Sequence, residues 1–99
     1  VSSFSVTLSA PLVRATFLAG VSRIHERFGH GVLRMKGLVC FLGEASPCEV
    51  HGVHGELYPI RPLANWPDED HTSRLVYIVR DLDADLLRPA LLEALGQPV

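Results

Sequence analysis

Val32-Leu33-Arg34-Met35-Lys36-Gly37-Leu38-Val39-Cys40-Phe41-Leu42 decides the architecture, because its residues sort onto two sides of an extended chain. Leu33, Met35, Val39 and Phe41 fall on one side; Arg34, Lys36, Leu38, Cys40 and Leu42 fall on the other. The first side is apolar and needs cover from other elements. The second begins charged and turns apolar, so its far end should meet something other than water.

On the N-terminal side the period changes. Val13, Phe17, Val21, Ile24 and Phe28 recur at helical spacing, with Arg14, Arg23, Glu26 and Arg27 on other faces. Ser9-Ala10-Pro11 offers an N-cap and a first-turn proline, and Gly29 a C-cap. Further back, Phe4, Val6 and Leu8 alternate with Ser3, Ser5 and Thr7, the pattern of a half-buried strand.

On the C-terminal side, Gly43 to Pro47 reads as a turn, and Cys48, Val50, Val53, Leu57 and Tyr58 as one or two strands interrupted near Gly52 and Gly55. A turn at Gly43 to Ala45 would set Cys40 directly opposite Cys48, within cross-linking range. Pro59 to Ser73 reads as a loop. Leu75-Val76-Tyr77-Ile78-Val79, apolar on both faces, reads as a central strand. Asp83 should cap a last helix carrying Leu86, Leu87, Leu91, Leu92 and Leu95 and ended by Gly96, with Pro89 kinking or splitting it. The order β-α-β-β(-β)-β-α implies an α+β two-layer sandwich, its sheet antiparallel or mixed, with both helices on one face.

Composition sets the class. The 99 residues, 47% hydrophobic and 20% charged, suit a single globular domain over 1–99. A net charge of -2, with the basic residues between Arg14 and Lys36 interleaved among apolar ones, argues against a nucleic-acid partner. No apolar run reaches membrane length and the N-terminus has no signal-peptide pattern, so a cytoplasmic protein with no membrane partner is expected. The start at Val1 suggests a piece of a longer chain. Two cysteines make no disulfide framework.

Neither Gly-x-x-x-x-Gly-Lys-Ser/Thr nor Gly-x-Ser-x-Gly nor Cys-x-x-Cys occurs, so no catalytic or cofactor-binding residue is assigned. The candidate metal ligands are Cys48, His51 and His54, since thiolate and imidazole suit zinc or cobalt. Residues three apart on a strand face opposite sides, however, so these converge only if Gly52 bends the chain. Asp68-Glu69-Asp70-His71 could hold a hard cation or serve an unfamiliar enzyme site, but reads first as a solvated turn. Trp66 is expected to plug the core's edge rather than stack on a ligand. Arg34, Lys36, Leu38 and Leu42 are the candidate partner-binding residues.

Five blocks in order carry a resemblance: His25-Glu26-Arg27-Phe28-Gly29; Leu33-Arg34-Met35-Lys36-Gly37-Leu38; His51-Gly52-Val53-His54; Trp66-Pro67-Asp68-Glu69-Asp70; and Ser73-Arg74-Leu75-Val76-Tyr77-Ile78-Val79-Arg80-Asp81-Leu82. Together they resemble the C-terminal domain of the CobW family, the cobalamin-synthesis-type P-loop GTPases associated with metal trafficking. The resemblance implies a companion domain to an N-terminal GTPase domain that holds the P-loop and a Cys-x-Cys-Cys metal motif. GTP with magnesium, and zinc or cobalt, are then implied for the parent protein, with none of them in this stretch. It further implies an interaction and regulatory role without catalysis, and contacts with the GTPase domain and a metal-receiving client. Where the GTPase domain is absent, the face carrying Arg34, Lys36, Leu38 and Leu42 is expected to dock a second copy, a homo-oligomer. The alternative is a small metal-binding module using Cys48, His51 and His54.

Overall fold

The N-terminal alternation forms β1 (Ser2–Leu8), with Phe4, Val6 and Leu8 buried and the residues between them exposed. It is followed by α1 (Arg14–Phe28), β2 (Val32–Val39), β3 (Cys48–Val53), the two-residue strands β4 (Glu56–Leu57) and β5 (Arg61–Pro62), β6 (Ser73–Val79) and α2 (Ala84–Ala94). The computed structural model describes residues 1–9, 11–67 and 69–98. The strands form one antiparallel sheet in the order β1-β6-β2-β3-β4, with β5 also on β3. The fold is α+β. None of the helices among the described residues is long and apolar enough to cross a membrane.

β6 lies between β1 and β2, so every backbone group along its middle can be paired. Its registers build one cross-sheet row, Phe4–Tyr77–Met35–Gly52. Phe17, Val21 and Ile24 of α1, and Leu87 and Leu91 of α2, belong to the same hydrophobic cluster as Phe4, Tyr77 and Met35. Tyr77 is the centre of that cluster. Its ring stacks on Phe4 at 5.4 Å and meets His25 edge-on at 5.7 Å, and its hydroxyl lies 2.9 Å from His25 Nε2. The α2 helix is capped at both ends. Asp83 Oδ1 accepts from the Asp85 N–H, while Gly96 N–H→Glu93 O and Gln97 N–H→Leu92 O close the other end around Gly96 at φ 70°.

Several expectations are corrected. The partners of β2 jump from Val32↔Val79 to Arg34↔Ile78, a bulge that leaves Leu33 outside the β2–β6 ladder. Val32, not Leu33, therefore enters the core, and the Leu33 carbonyl accepts from the His54 N–H at 3.1 Å. β2 ends at Val39 rather than Leu42, because the Cys40 N–H turns to Ser73 Oγ at 2.8 Å. Phe41 instead bridges Leu12 in parallel. That bridge holds Leu12 extended and delays α1 to Arg14, with Val13 at the N-cap and no side-chain cap. Ser9 bonds Gln97 Oε1 instead; Ala10 lies outside the described residues. Cys48 pairs with Val39, one residue away from the expected partner, so alternation sends Cys40 to the other side and the two thiols do not face each other. The stretch read as loop contains β5, and α2 runs through Pro89 as one helix.

His25 is buried in this core, and burial lowers its pKa from the ordinary 6.5 against a smaller upward pull from the Gly55 backbone. Nδ1 makes no well-formed hydrogen bond among the described residues. Because the folded pKa lies below the unfolded one, the unfolded chain binds the proton better. The contribution of neutral His25 is complete above the unfolded pKa and lost as pH falls below it toward the folded value. The urea midpoint should therefore drop between about pH 7.5 and pH 5.5, and His25→Gln should flatten that drop. A midpoint independent of pH across that window would contradict the assignment.

Candidate functional site

The sheet face opposite the Phe4–Tyr77–Met35 row is built from the other parity of each strand. Registers place Ser5–Val76–Lys36–His51 in one row across β1, β6, β2 and β3, and Thr7–Arg74–Leu38–Glu49 in the next. A third row runs Ser3–Ile78–Arg34–Val53. The loop between β5 and β6 comes alongside. Leu63, Trp66, Pro67, Asp70 and Thr72 form a wall over a floor that includes Lys36, Leu38, Glu49, His51, Arg74 and Val76, enclosing a trough of about 690 Å³.

Local contacts hold the wall. The Thr72 N–H donates to Asp70 Oδ1 at 3.0 Å, and Arg74 Nη2 pairs with Asp70 Oδ2 at 3.0 Å. Hydrogen bonding from Thr72, with Arg74 adding its charge, holds the Asp70 carboxyl below its usual range. The Trp66 ring stacks on His71 at 4.7 Å with planes 9° apart, so the loop's aromatic faces its own histidine. On the far side Arg61 Nη2 pairs with Glu49 Oε1 at 2.9 Å, and His51 meets Tyr58 edge-on at 5.3 Å.

These pairs neutralise Arg74 and Arg61 but not Arg34 or Lys36, which have no acidic partner among the described residues. The floor is thus apolar at Leu38 and Val76, the latter 38% exposed, and positive along β2. Of the expected partner-binding residues, Arg34, Lys36 and Leu38 fall together on this face. Leu42 stands beyond the end of β2 and is 66% exposed. Sequence reasoning missed Arg74, Val76, Glu49 and the trough wall. The alternation of Arg74, Val76 and Ile78 was a usable signal; the position of Trp66 was not, because it depends on a loop's path.

The structure does not bring Cys48, His51 and His54 together. Cys48 and Gly52 lie on the core parity of β3, His51 on the open parity, and His54 in the two-residue turn to β4. His54 and Gly55 both have positive φ there, 53° and 80°, as a tight hairpin turn requires. Gly55 is also needed for space, since a Cβ would sit 3.0 Å from Gly29 Cα. No group of three or more His, Cys, Asp or Glu among the described residues is placed to hold a metal ion. Cys48 is committed elsewhere. Arg14 pairs bidentately with Glu44 at 2.9 Å, and the Cys48 thiol donates to Glu44 Oε1 at 3.6 Å. Burial, then Glu44, pushes the thiol pKa up, away from the thiolate that zinc prefers.

Residues 1–95 match the family described as "Cobalamin synthesis protein cobW C-terminal domain". The chain belongs to this family. Two solved structures share the cobW C-terminal fold: Zn(II)-bound YjiA GTPase from E. coli (TM-score 0.77) and the Zn(II)-bound form of a YjiA triple mutant (TM-score 0.78). Each is 26% identical and covers 94% of this chain. This cobW C-terminal domain in turn spans 29% of each YjiA chain, so most of YjiA has no counterpart here.

Proposed function

We propose that this chain is the C-terminal interaction and regulatory domain of a longer CobW-like GTPase, that it performs no catalysis, and that its open sheet face docks onto the GTPase domain of the same protein. The observation that carries the reading is the trough: an apolar floor at Leu38 and Val76 beside Arg34 and Lys36, which have no acidic partner among the described residues. That both helices cover the opposite, core face is part of this reading, and His25 on Tyr77 and Arg88 over the Phe4 ring at 5.3 Å support it. The complementary surface would present carboxylates to Arg34 and Lys36 and apolar side chains to Leu38. Leu42, 66% exposed beyond the end of β2, is included in the proposed contact as an apolar side chain outside the trough. The Zn(II)-bound GTPase structures support zinc as the metal the parent protein handles; GTP with magnesium at the parent's own nucleotide site, and transfer to a cytoplasmic client protein, complete the proposal.

The test mixes this chain with the separately produced GTPase domain and measures affinity by calorimetry. Leu38→Asp should weaken binding by tenfold or more, about 1.4 kcal/mol, while thermal melting stays close to wild type. Leu86→Asp on α2, where Leu86 is 68% exposed, should leave binding unchanged. Should Leu38→Asp fail to fold, Val76→Asp replaces it. Wild-type affinity in the folded open-face variant would overturn the proposal.

A further inference from the structure

The sheet has two edges, and they are finished differently. The edge beyond β3 is broken into β4 and β5, each two residues long, and β5 is Arg61–Pro62. Short strands, a charge and a proline are the usual devices that stop an edge from recruiting another strand. β1, at the other edge, has none of them. It is seven residues long, Ser-Ser-Phe-Ser-Val-Thr-Leu, with no charge and no proline. Its register against β6 runs unbroken from Ser2↔Val79 to Leu8↔Ser73, so no bulge twists it away. Among the described residues, no strand pairs with its outer side. The link from Ser9 to Gln97 lies past its end and leaves Ser2–Leu8 open.

We propose that the outer edge of β1 pairs antiparallel with β1 of a second copy of this chain, joining the two sheets across a two-fold axis at Ser5. The occupant follows from the strand itself. A two-fold at Ser5 uses all seven residues: Ser5 faces Ser5 of the second copy, Phe4 faces Val6, Ser3 faces Thr7 and Ser2 faces Leu8. Because the pairing sums are even, Phe4 meets Val6 and the hydroxyls of Ser3, Ser5 and Thr7 meet one another, so the core face continues across the axis; only at the ends does exposed Ser2 meet buried Leu8. A chargeless strand meets its copy without like-charge repulsion. Strand pairing alone buries less than the roughly 1,200 Å² of a standard interface, so the association is weak and concentration-dependent. This surface is separate from the trough floor and does not rest on the GTPase-docking reading.

Sedimentation of this chain from micromolar to millimolar concentration tests it. Wild type should pass from monomer to dimer. Ser5 is exposed, so Ser5→Lys and Ser5→Glu should fold, and each should stay monomeric where wild type dimerises, because the axis brings like charges together. An equimolar mixture of the two should regain the dimer. Should the Ser5 variants fail to fold, Thr7→Lys mixed with Ser3→Glu, face to face in this register, replaces them. Wild type that stays monomeric throughout overturns the proposal. So does a dimer that survives in Ser5→Lys, or that Leu38→Asp dissolves while Ser5→Lys does not.

Discussion

Truncation of Tyr77 to alanine should cost about 3–5 kcal/mol, enough to leave a domain of ordinary stability largely unfolded near physiological temperature. The ring is fully buried at the middle of β6, stacked on Phe4 and set beside Met35 by register. Its removal leaves a cavity that neither β1 nor β2 can close without breaking the ladder on either side of β6. It also removes the hydroxyl that partners His25 Nε2, leaving that buried imidazole with no well-formed hydrogen bond on either nitrogen among the described residues. Tyr77→Phe separates the two effects: it keeps the volume and should cost only the unmade hydrogen bond, about 1–3 kcal/mol. Urea unfolding of both variants gives the difference, and a Tyr77→Ala loss no larger than that of Tyr77→Phe would show that packing around the ring is not what holds the sheet.

Gly37→Val should be comparably damaging for the opposite reason, excess volume. Gly37 sits in the middle of β2, paired with Leu75 on one side and Val50 on the other. A Cβ there would collide with the Arg74 carbonyl oxygen and lie 2.9 Å from Leu75 Cδ2. A side-chain tip can rotate away; a carbonyl engaged in a central ladder cannot. Overpacking ordinarily costs about 1–3 kcal/mol, and this clash is with backbone, so the upper end or beyond is expected. Even Gly37→Ala should lower the unfolding midpoint clearly. Near-wild-type stability for Gly37→Ala would mean that β2 and β6 have slack that their register does not suggest.

Where period alone sets structure, the sequence could be read directly. Phe4, Val6 and Leu8, the spacing from Phe17 to Ile24, and Leu87, Leu91 and Leu95 around Pro89 all lie in the core, where their patterns put them. The failures share one cause, contacts distant in sequence. Val32 and Leu33 are both apolar, so nothing local distinguishes the buried residue from the bulged one; the answer depends on where Val79 and Ile78 fall. Likewise the end of β2 and the start of α1 are set together by Leu12 and Phe41. The open face was half legible, since the alternation of Arg34, Lys36 and Leu38 marked it, while the wall around Trp66 arises only when the loop folds back. For Cys48 and His51 strand parity accounts for the opposite faces they take on β3, whereas His54 lies in the following turn, which parity does not address.

The claim that the open face is the docking surface is tested most directly by amide chemical-shift mapping, in which the isotopically labelled chain is titrated with the unlabelled GTPase domain of the same protein. The account predicts perturbations concentrated at Arg34, Lys36, Leu38, Arg74 and Val76, with the exposed side of α1 around Arg23 and of α2 around Leu86 unmoved. Perturbations centred on Arg23 and Leu86, with the five open-face amides unchanged at saturation, would contradict it.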